Sequence, residues 1–350
     1  MSHRILGLTL LFMTAIACAA TGTPMQIATP SGVIEGTLLM PAARSKVPVA
    51  LLIAGSGPTD RDGNGPTAAA RNDSLKLIAA GLADAGIASL RYDKRGIGAS
   101  ASAARREADL RFEDYVQDAA MWVEALAKDE RFTGVTIVGH SEGSLIGMIA
   151  AQRTPAKAFV SMAGTAEPAA TVLRCQLAGR LPADLAPVNE SILTALEAGT
   201  LVPDVPAQLA FLYRPSVQPY LVSWFRYDPV KEIAQLRVPC LVAQGDTDIQ
   251  VRVADAEAMH AAQSRCELAI VPGMNHVLKT VPDDRARQVA SYGDPTLPIA
   301  PGLMQALVRF ITADVTQAVP ACDDRRGSPT SGSHEGVPAS APSPCRTSTP

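Results

Sequence analysis

At 135-VTIVGHSEGSLIGMIAAQ-152 a short β-branched apolar run passes through G-x-S-x-G into a segment that is apolar at helical spacing. Nothing but the turn separates the two patterns. A strand that ends in so sharp a turn and re-enters as a helix needs small residues on both sides of its apex, here Gly139 and Gly143. Such a turn leaves the hydroxyl of Ser141 standing at the strand end, which is the setting a nucleophile elbow requires. A tight strand-to-helix turn with an ordinary serine N-cap is the other way to read it.

The rest of the chain repeats the same alternation. VPVALLIAG (47–55), IASLRYD, AFVSMAG, CLVAQG and CELAIVPG read as strands, and SLKLIAAGLADAG, DYVQDAAMWVEALAK and PGLMQALVRFI read as helices. Asn72, Asp73 or Ser74 is placed to cap the first of these helices and Gly86 to end it. Alternating strands and helices predict parallel strands joined by crossover helices, an α/β fold with a mostly parallel central sheet. IATPSGVIEGTLLMPA, before residue 47, predicts an antiparallel start. Between Gly164 and Lys231 the rhythm breaks. This stretch holds Phe211, Tyr213, Tyr220, Trp224, Phe225 and Tyr227 among the chain's 15 aromatic residues. An insertion after a strand's C-terminal end is where open α/β sheets carry ligand-covering elements. The same aromatics also suit a core of the insertion's own.

The two ends read differently. His3 and Arg4 precede ILGLTLLFMTAIA and then CAATG, a basic, apolar and small-residue series that predicts an export signal over residues 1–20. The apolar run is too short for a spanning helix. Cys18 after AIA leaves a lipid-modified cysteine open as an alternative. From Asp323 to Pro350 the chain is rich in Pro, Ser, Gly and Thr without apolar periodicity, which predicts a disordered tail. A net charge of −3 excludes the basic excess that nucleic-acid binding calls for. Six cysteines occur, none in C-x-x-C, which argues against zinc or a thioredoxin-type dithiol. Cys240, inside an apolar strand, is expected to be a small buried hydrophobe; no bridge follows from spacing.

A serine hydroxyl needs a base to attack at neutral pH. Of five histidines, His3 is in the leader, His334 in the tail and His260 in a helix. His140 is inside the turn, its side chain expected to point away from Ser141. His276 remains, in the loop PGMNHVLK after a strand. The base needs an acid to hold its tautomer. Asp246 and Asp248 follow the strand CLVAQG, with Glu167 a remoter alternative.

The stretch 55-GSGPTDRDGNG-65 offers two chemistries. Asp60, Asp62, Asn64 and Gly65 begin like a calcium loop, but the twelfth position is Arg71, where calcium needs a bidentate glutamate. Gly55, Ser56 and Gly57 follow a strand and suit an amide turn that holds an anion. The acidic half is then scaffolding, with Arg61 or Arg95 as the expected partner of Asp60 and Asp62.

GSGPTDRDGN, YDKRGIGAS, GHSEG and GDTDIQV together resemble the α/β-hydrolases, and more narrowly a bacterial esterase branch, over residues 30 to 315. The resemblance implies an α/β-hydrolase core over residues 25–164 and 232–318 and a helical cap over residues 165–231. It implies Ser141 as nucleophile, His276 as base and Asp248, at the last position of G-x-x-D, as acid. Oxyanion amides are expected from Glu142 and from Ser56, with Gly57 as the alternative. The implied activity is hydrolysis of a small-molecule carboxylic ester, with no metal or organic cofactor, and the clustered aromatics of the insertion predict a preference for short to medium acyl chains. The same triad on amides or as an acyltransferase is the rival, and a non-catalytic binder the remote one.

Overall fold

The computed structural model describes residues 22–313 apart from residues 44 and 105. The export signal, Cys18 and the tail from residue 323 lie outside the described residues. Eight strands form one sheet: β1 (Thr23–Thr29), β2 (Gly32–Leu39), β3 (Val47–Ile53), β4 (Ala88–Tyr92), β5 (Phe132–His140), β6 (Ala158–Met162), β7 (Cys240–Gly245) and β8 (Glu267–Val271). Their order across the sheet is β1-β2-β4-β3-β5-β6-β7-β8. β1 and β2 pair antiparallel, as do β2 and β4, and every later pairing is parallel. This is the α/β-hydrolase fold.

The central strands show no polar alternation because both faces are covered. In β3, Val49, Leu51 and Ile53 pack on one face, against Trp122 of α2 (Phe112–Ala127) and Ile149 of α3 (Glu142–Ala151). Ala50, Leu52 and Ala54 pack on the other, against Ile78 of α1 (Ser74–Asp84) and, further along the chain, Leu303. Leu51 and Leu52 are 0% and 1% exposed, each contributing about 1.5–3 kcal/mol of burial. All ten residues of α3 are buried, which is why its sequence is apolar around its whole circumference.

Between β6 and β7 the chain forms α4 (Ala169–Leu177), α5 (Leu185–Glu197), α6 (Ala210–Tyr213), α7 (Gln218–Trp224) and α8 (Pro229–Ala234). Gln218, fully buried, ties this segment together by donating to the carbonyls of Val202 and Tyr213, each at 2.7 Å. The Phe112 amide donates to Ser223 Oγ at 2.8 Å, and the Phe112 ring stacks on Trp224, fastening α7 to α2. The chain closes with α9 (Val253–Ala262), α10 (Arg285–Ser291) and α11 (Pro301–Thr312), the last covering the α1 face. No helix among the described residues is long and apolar enough to cross a membrane.

Cys240 is buried as expected, but not as a free thiol. It is disulfide-bonded to Cys266, with the two Cα atoms 4.4 Å apart. Leu241 pairs with Glu267 in the β7–β8 register, so the residues just before them stand side by side. Adjacency of these strands is a property of the sheet, and spacing along the chain does not reveal it. Closing a loop of 26 residues contributes about 3 kcal/mol in the chain-entropy account.

Candidate active site

Ser141 sits at the apex between β5 and α3 with φ 54° and ψ −120°, a strained conformation for a residue with a side chain. The strain is held from both sides. Its amide donates to the Met162 carbonyl at 3.0 Å, and Ser144 Oγ donates to Ser161 Oγ at 2.7 Å. The flanking glycines are required by contact. A Cβ on Gly139 would lie 2.1 Å from the Gly143 carbonyl oxygen, and one on Gly143 would lie 2.4 Å from the Ile53 carbonyl oxygen. The elbow therefore presses directly on the end of β3, where the Gly55–Gly57 loop begins.

His276 follows β8 in a loop shaped by its neighbour Asn275, which is fully buried. Asn275 Nδ2 donates to Ser291 Oγ at 2.7 Å, and its Oδ1 accepts the Lys279 amide at 3.0 Å. His276 Nδ1 lies 2.9 Å from Asp248 Oδ2. Asp248 also accepts the amides of Gln250 (2.7 Å) and Val251 (3.0 Å) and Nε2 of Gln244 (3.1 Å). Desolvation pushes its carboxyl upward. The His276 charge, the His276 hydrogen bond and the two amides together outweigh that effect and hold it below its ordinary value. Asp246 instead accepts the Gly273 amide at 2.6 Å, a turn-bracing role. Glu167 lines the cavity but does not reach His276; its amide is bonded to Thr165.

His140 departs from expectation. Its ring does not point away but stands behind His276, with ring centroids 5.0 Å apart. Nε2 donates to the His276 carbonyl at 2.8 Å, which settles the tautomer because a carbonyl only accepts. Burial, then the neighbouring His276, draws His140 down to about 4 and keeps it neutral.

The 55–65 loop is locked by its acidic half, though not by the arginines expected. Asp60 Oδ1 accepts the amides of Asp62 and Asn64, both at 2.9 Å. Asp62 pairs with Arg91 of β4, while Arg61 pairs with Asp93 (2.7 Å) and Arg95 with Asp118 (2.5 Å). Asn64 Oδ1 takes the amides of Asn72 and Asp73 at 2.9 Å, docking the loop on the start of α1, where Asn72 accepts the Ser74 amide. The carboxylates that suggested calcium are engaged by amides and a guanidinium.

Ser141, His276, Ser56, Gly57 and Glu142 all border one cavity of about 340 Å³. Leu145, Val172, Leu173, Leu212, Leu221 and Trp224 form its apolar wall. The aromatics of the insertion divide between the two roles. Phe211, Tyr220 and Trp224 reach the cavity, whereas Tyr213 is buried on Asn189 at 2.8 Å. Sequence reasoning missed the surroundings of Glu142. Its carboxylate is buried, bonded to Lys94 Nζ at 2.6 Å and to the Tyr220 hydroxyl. Lys94 stood inside YDKRG, but nothing local assigned it a partner 48 residues away.

Comparisons with known proteins bear on the fold and on its relatives. Residues 72–204 match the family model for serine aminopeptidase, S33. Esterase EstD of Thermotoga maritima is 27% identical over 249 residues, which cover 70% of this chain and 58% of the relative. The chain thus spans less than two thirds of that relative's length. Among solved structures, Est1E from Butyrivibrio proteoclasticus with ferulic acid bound superposes with a TM-score of 0.58 at 19% identity, covering 84% of this chain and 100% of the other. A puromycin-hydrolysing peptidase of Mycobacterium tuberculosis superposes with a TM-score of 0.55 at 16% identity, covering 86% of this chain and 41% of the other. By sheet order and by these superpositions, this chain has the α/β-hydrolase fold.

Proposed function

We propose that this chain is an exported serine hydrolase that cleaves carboxylic esters of short to medium acyl chain. The observation that carries the reading is the buried Asp248–His276 pair bordering the same apolar cavity as Ser141. With Nδ1 bonded to Asp248, Nε2 is the ring nitrogen left for the Ser141 hydroxyl. In the proposed cycle Ser141 Oγ attacks the ester carbonyl carbon as His276 takes its proton. The tetrahedral oxyanion rests on the amides of Glu142 and of Ser56 or Gly57. Collapse breaks the bond to the alcohol oxygen, which leaves with the proton from His276. Water, deprotonated by His276, then attacks the acyl-enzyme and releases the carboxylic acid and Ser141. Asp248 orients the imidazole and stabilises its charged form throughout.

A p-nitrophenyl ester series from acetyl to palmitoyl tests this on the wild type and on Ser141→Ala. Turnover is expected to peak at short to medium chains and to vanish in the variant. Undiminished activity in Ser141→Ala would sink the mechanism, and a flat chain-length profile would sink the specificity. The match to a serine aminopeptidase model favours a second reading, amide hydrolysis by the same triad. Aminoacyl p-nitroanilides run beside the esters separate the two. Export is supported by the leader's pattern and by the buried Cys240–Cys266 bond, which persists in oxidising compartments. Cell fractionation tests export, and palmitate labelling of the wild type against Cys18→Ser tests lipid anchoring.

A further inference from the structure

Lys94 is 1% exposed and follows the end of β4. A buried ammonium must have acceptors, and this one has two from separate parts of the chain. Nζ donates at 2.6 Å to the Gly55 carbonyl and at 2.6 Å to Glu142 Oε2. The Tyr115 ring lies 4.9 Å from the same nitrogen. The other Glu142 oxygen accepts the Tyr220 hydroxyl from α7. These contacts coincide with the two amides assigned above to the oxyanion. Glu142 carries one of those amides itself. The Gly55 carbonyl belongs to the same peptide unit as the Ser56 amide.

That last relationship has a geometric consequence. A trans peptide is planar, and its C=O and N–H point in opposite directions. The backbone is free of cis bonds among the described residues. Anchoring the Gly55 oxygen on Lys94 therefore turns the Ser56 N–H to the opposite side. A charge on the carbonyl also polarises the unit, making its N–H a stronger donor in a site of low dielectric. Glu142 keeps the ammonium in place, and Tyr220 keeps Glu142 in place while linking both to the insertion.

We propose that Lys94 is a positioning residue of the oxyanion hole: its bridge from the Gly55 carbonyl to Glu142, latched by Tyr220, orients and polarises the Gly55–Ser56 peptide. The bridge favours Ser56 for the second amide, because Lys94 holds the Gly55–Ser56 peptide from a buried position, whereas the Ser56–Gly57 peptide is held through its carbonyl by an exposed bond to the Thr59 hydroxyl. This inference rests on the serine-hydrolase reading above.

The test compares the wild type with Lys94→Met, which keeps the stem and removes the charge. Because that variant leaves Glu142 buried without its cation, Lys94→Met/Glu142→Gln, which removes both charges and keeps the Glu142 amide, carries the test should the single variant not fold. Each is measured for kcat and KM on one p-nitrophenyl ester. Each is also measured for inhibition by a trifluoromethyl ketone, which forms a charged tetrahedral adduct, and by the carboxylic acid product. Loss of orientation is expected to lower kcat and ketone affinity together, by about 10- to 100-fold, somewhat less than deleting a donor outright. KM and product affinity should stay within about threefold, a split that general loosening of the fold would not produce. A folded variant with wild-type kcat and ketone affinity overturns the assignment. A wild type without ester turnover or fluorophosphonate labelling at Ser141 overturns the hydrolase reading itself, and this inference with it.

Discussion

His140 Nε2 donates to the carbonyl oxygen of His276 at 2.8 Å, so the histidine beside Ser141 holds the backbone of the loop that carries His276. The two residues are 136 apart in the chain. Their contact ties β5 to the loop after β8 across two intervening strands.

The burial of His140 makes stability depend on pH. His140 titrates at about 4 in the folded protein against 6.5 for the free side chain, because burial disfavours its charged form. Between those values the unfolded chain binds a proton that the folded chain does not, so stability falls as pH drops from 6.5 toward 4. The loss is on the order of 3 kcal/mol over the whole window. Chemical denaturation at pH 7, 5.5 and 4.5 should show it, and His140→Asn should flatten the slope. An unchanged slope in that variant would remove His140 as the cause.

Asp248→Asn should leave the fold intact and lower kcat by roughly 10³- to 10⁴-fold. An amide nitrogen at that position faces His276 Nδ1 with a donor and favours the wrong tautomer, while KM should move little. Steady-state kinetics on a p-nitrophenyl ester measure the split. A loss confined to KM would mean that Asp248 serves binding instead.

Gly143→Ala places a methyl 2.4 Å from the Ile53 oxygen and 2.7 Å from the Ala54 oxygen, both backbone atoms that have no rotamer to yield. A cost of about 1–3 kcal/mol is expected from such overpacking. Displacing the end of β3 also displaces Ser56, so fluorophosphonate labelling at Ser141 should slow. Thermal unfolding and labelling rate are the measurements. Wild-type values in both would show that the contact relaxes freely.

Asp60→Ala removes the acceptor of two loop amides, those of Asp62 and Asn64. Leaving them unsatisfied costs about 1–3 kcal/mol and loosens the loop, so activity should drop several-fold. Added calcium or EDTA should change neither the wild type nor the variant. Calcium-dependent activity in the wild type would return the 55–65 loop to a metal role.

The sequence by itself determined what depends on near neighbours. VPVALLI reads as a buried strand because six of its seven residues are apolar enough to face helices on both sides, and VTIVGHSEGSLIG reads as an elbow because the glycines flanking its serine are each two residues from it. The candidates Ser141, Asp248, His276 and Ser56 were legible because each stands at the C-terminal end of a strand that periodicity alone locates. Tertiary structure decided the pairings. That Asp248 meets His276, that Asp62 takes Arg91 in place of Arg61, and that Cys240 bonds Cys266 all depend on which strands lie side by side. Lys94 shows the reason most clearly. Its charge is satisfied by Gly55 and Glu142, partners 39 and 48 residues away that only the β4-β3-β5 order brings together. A buried ion selects its partners by distance in space, and no local pattern of residues encodes that distance.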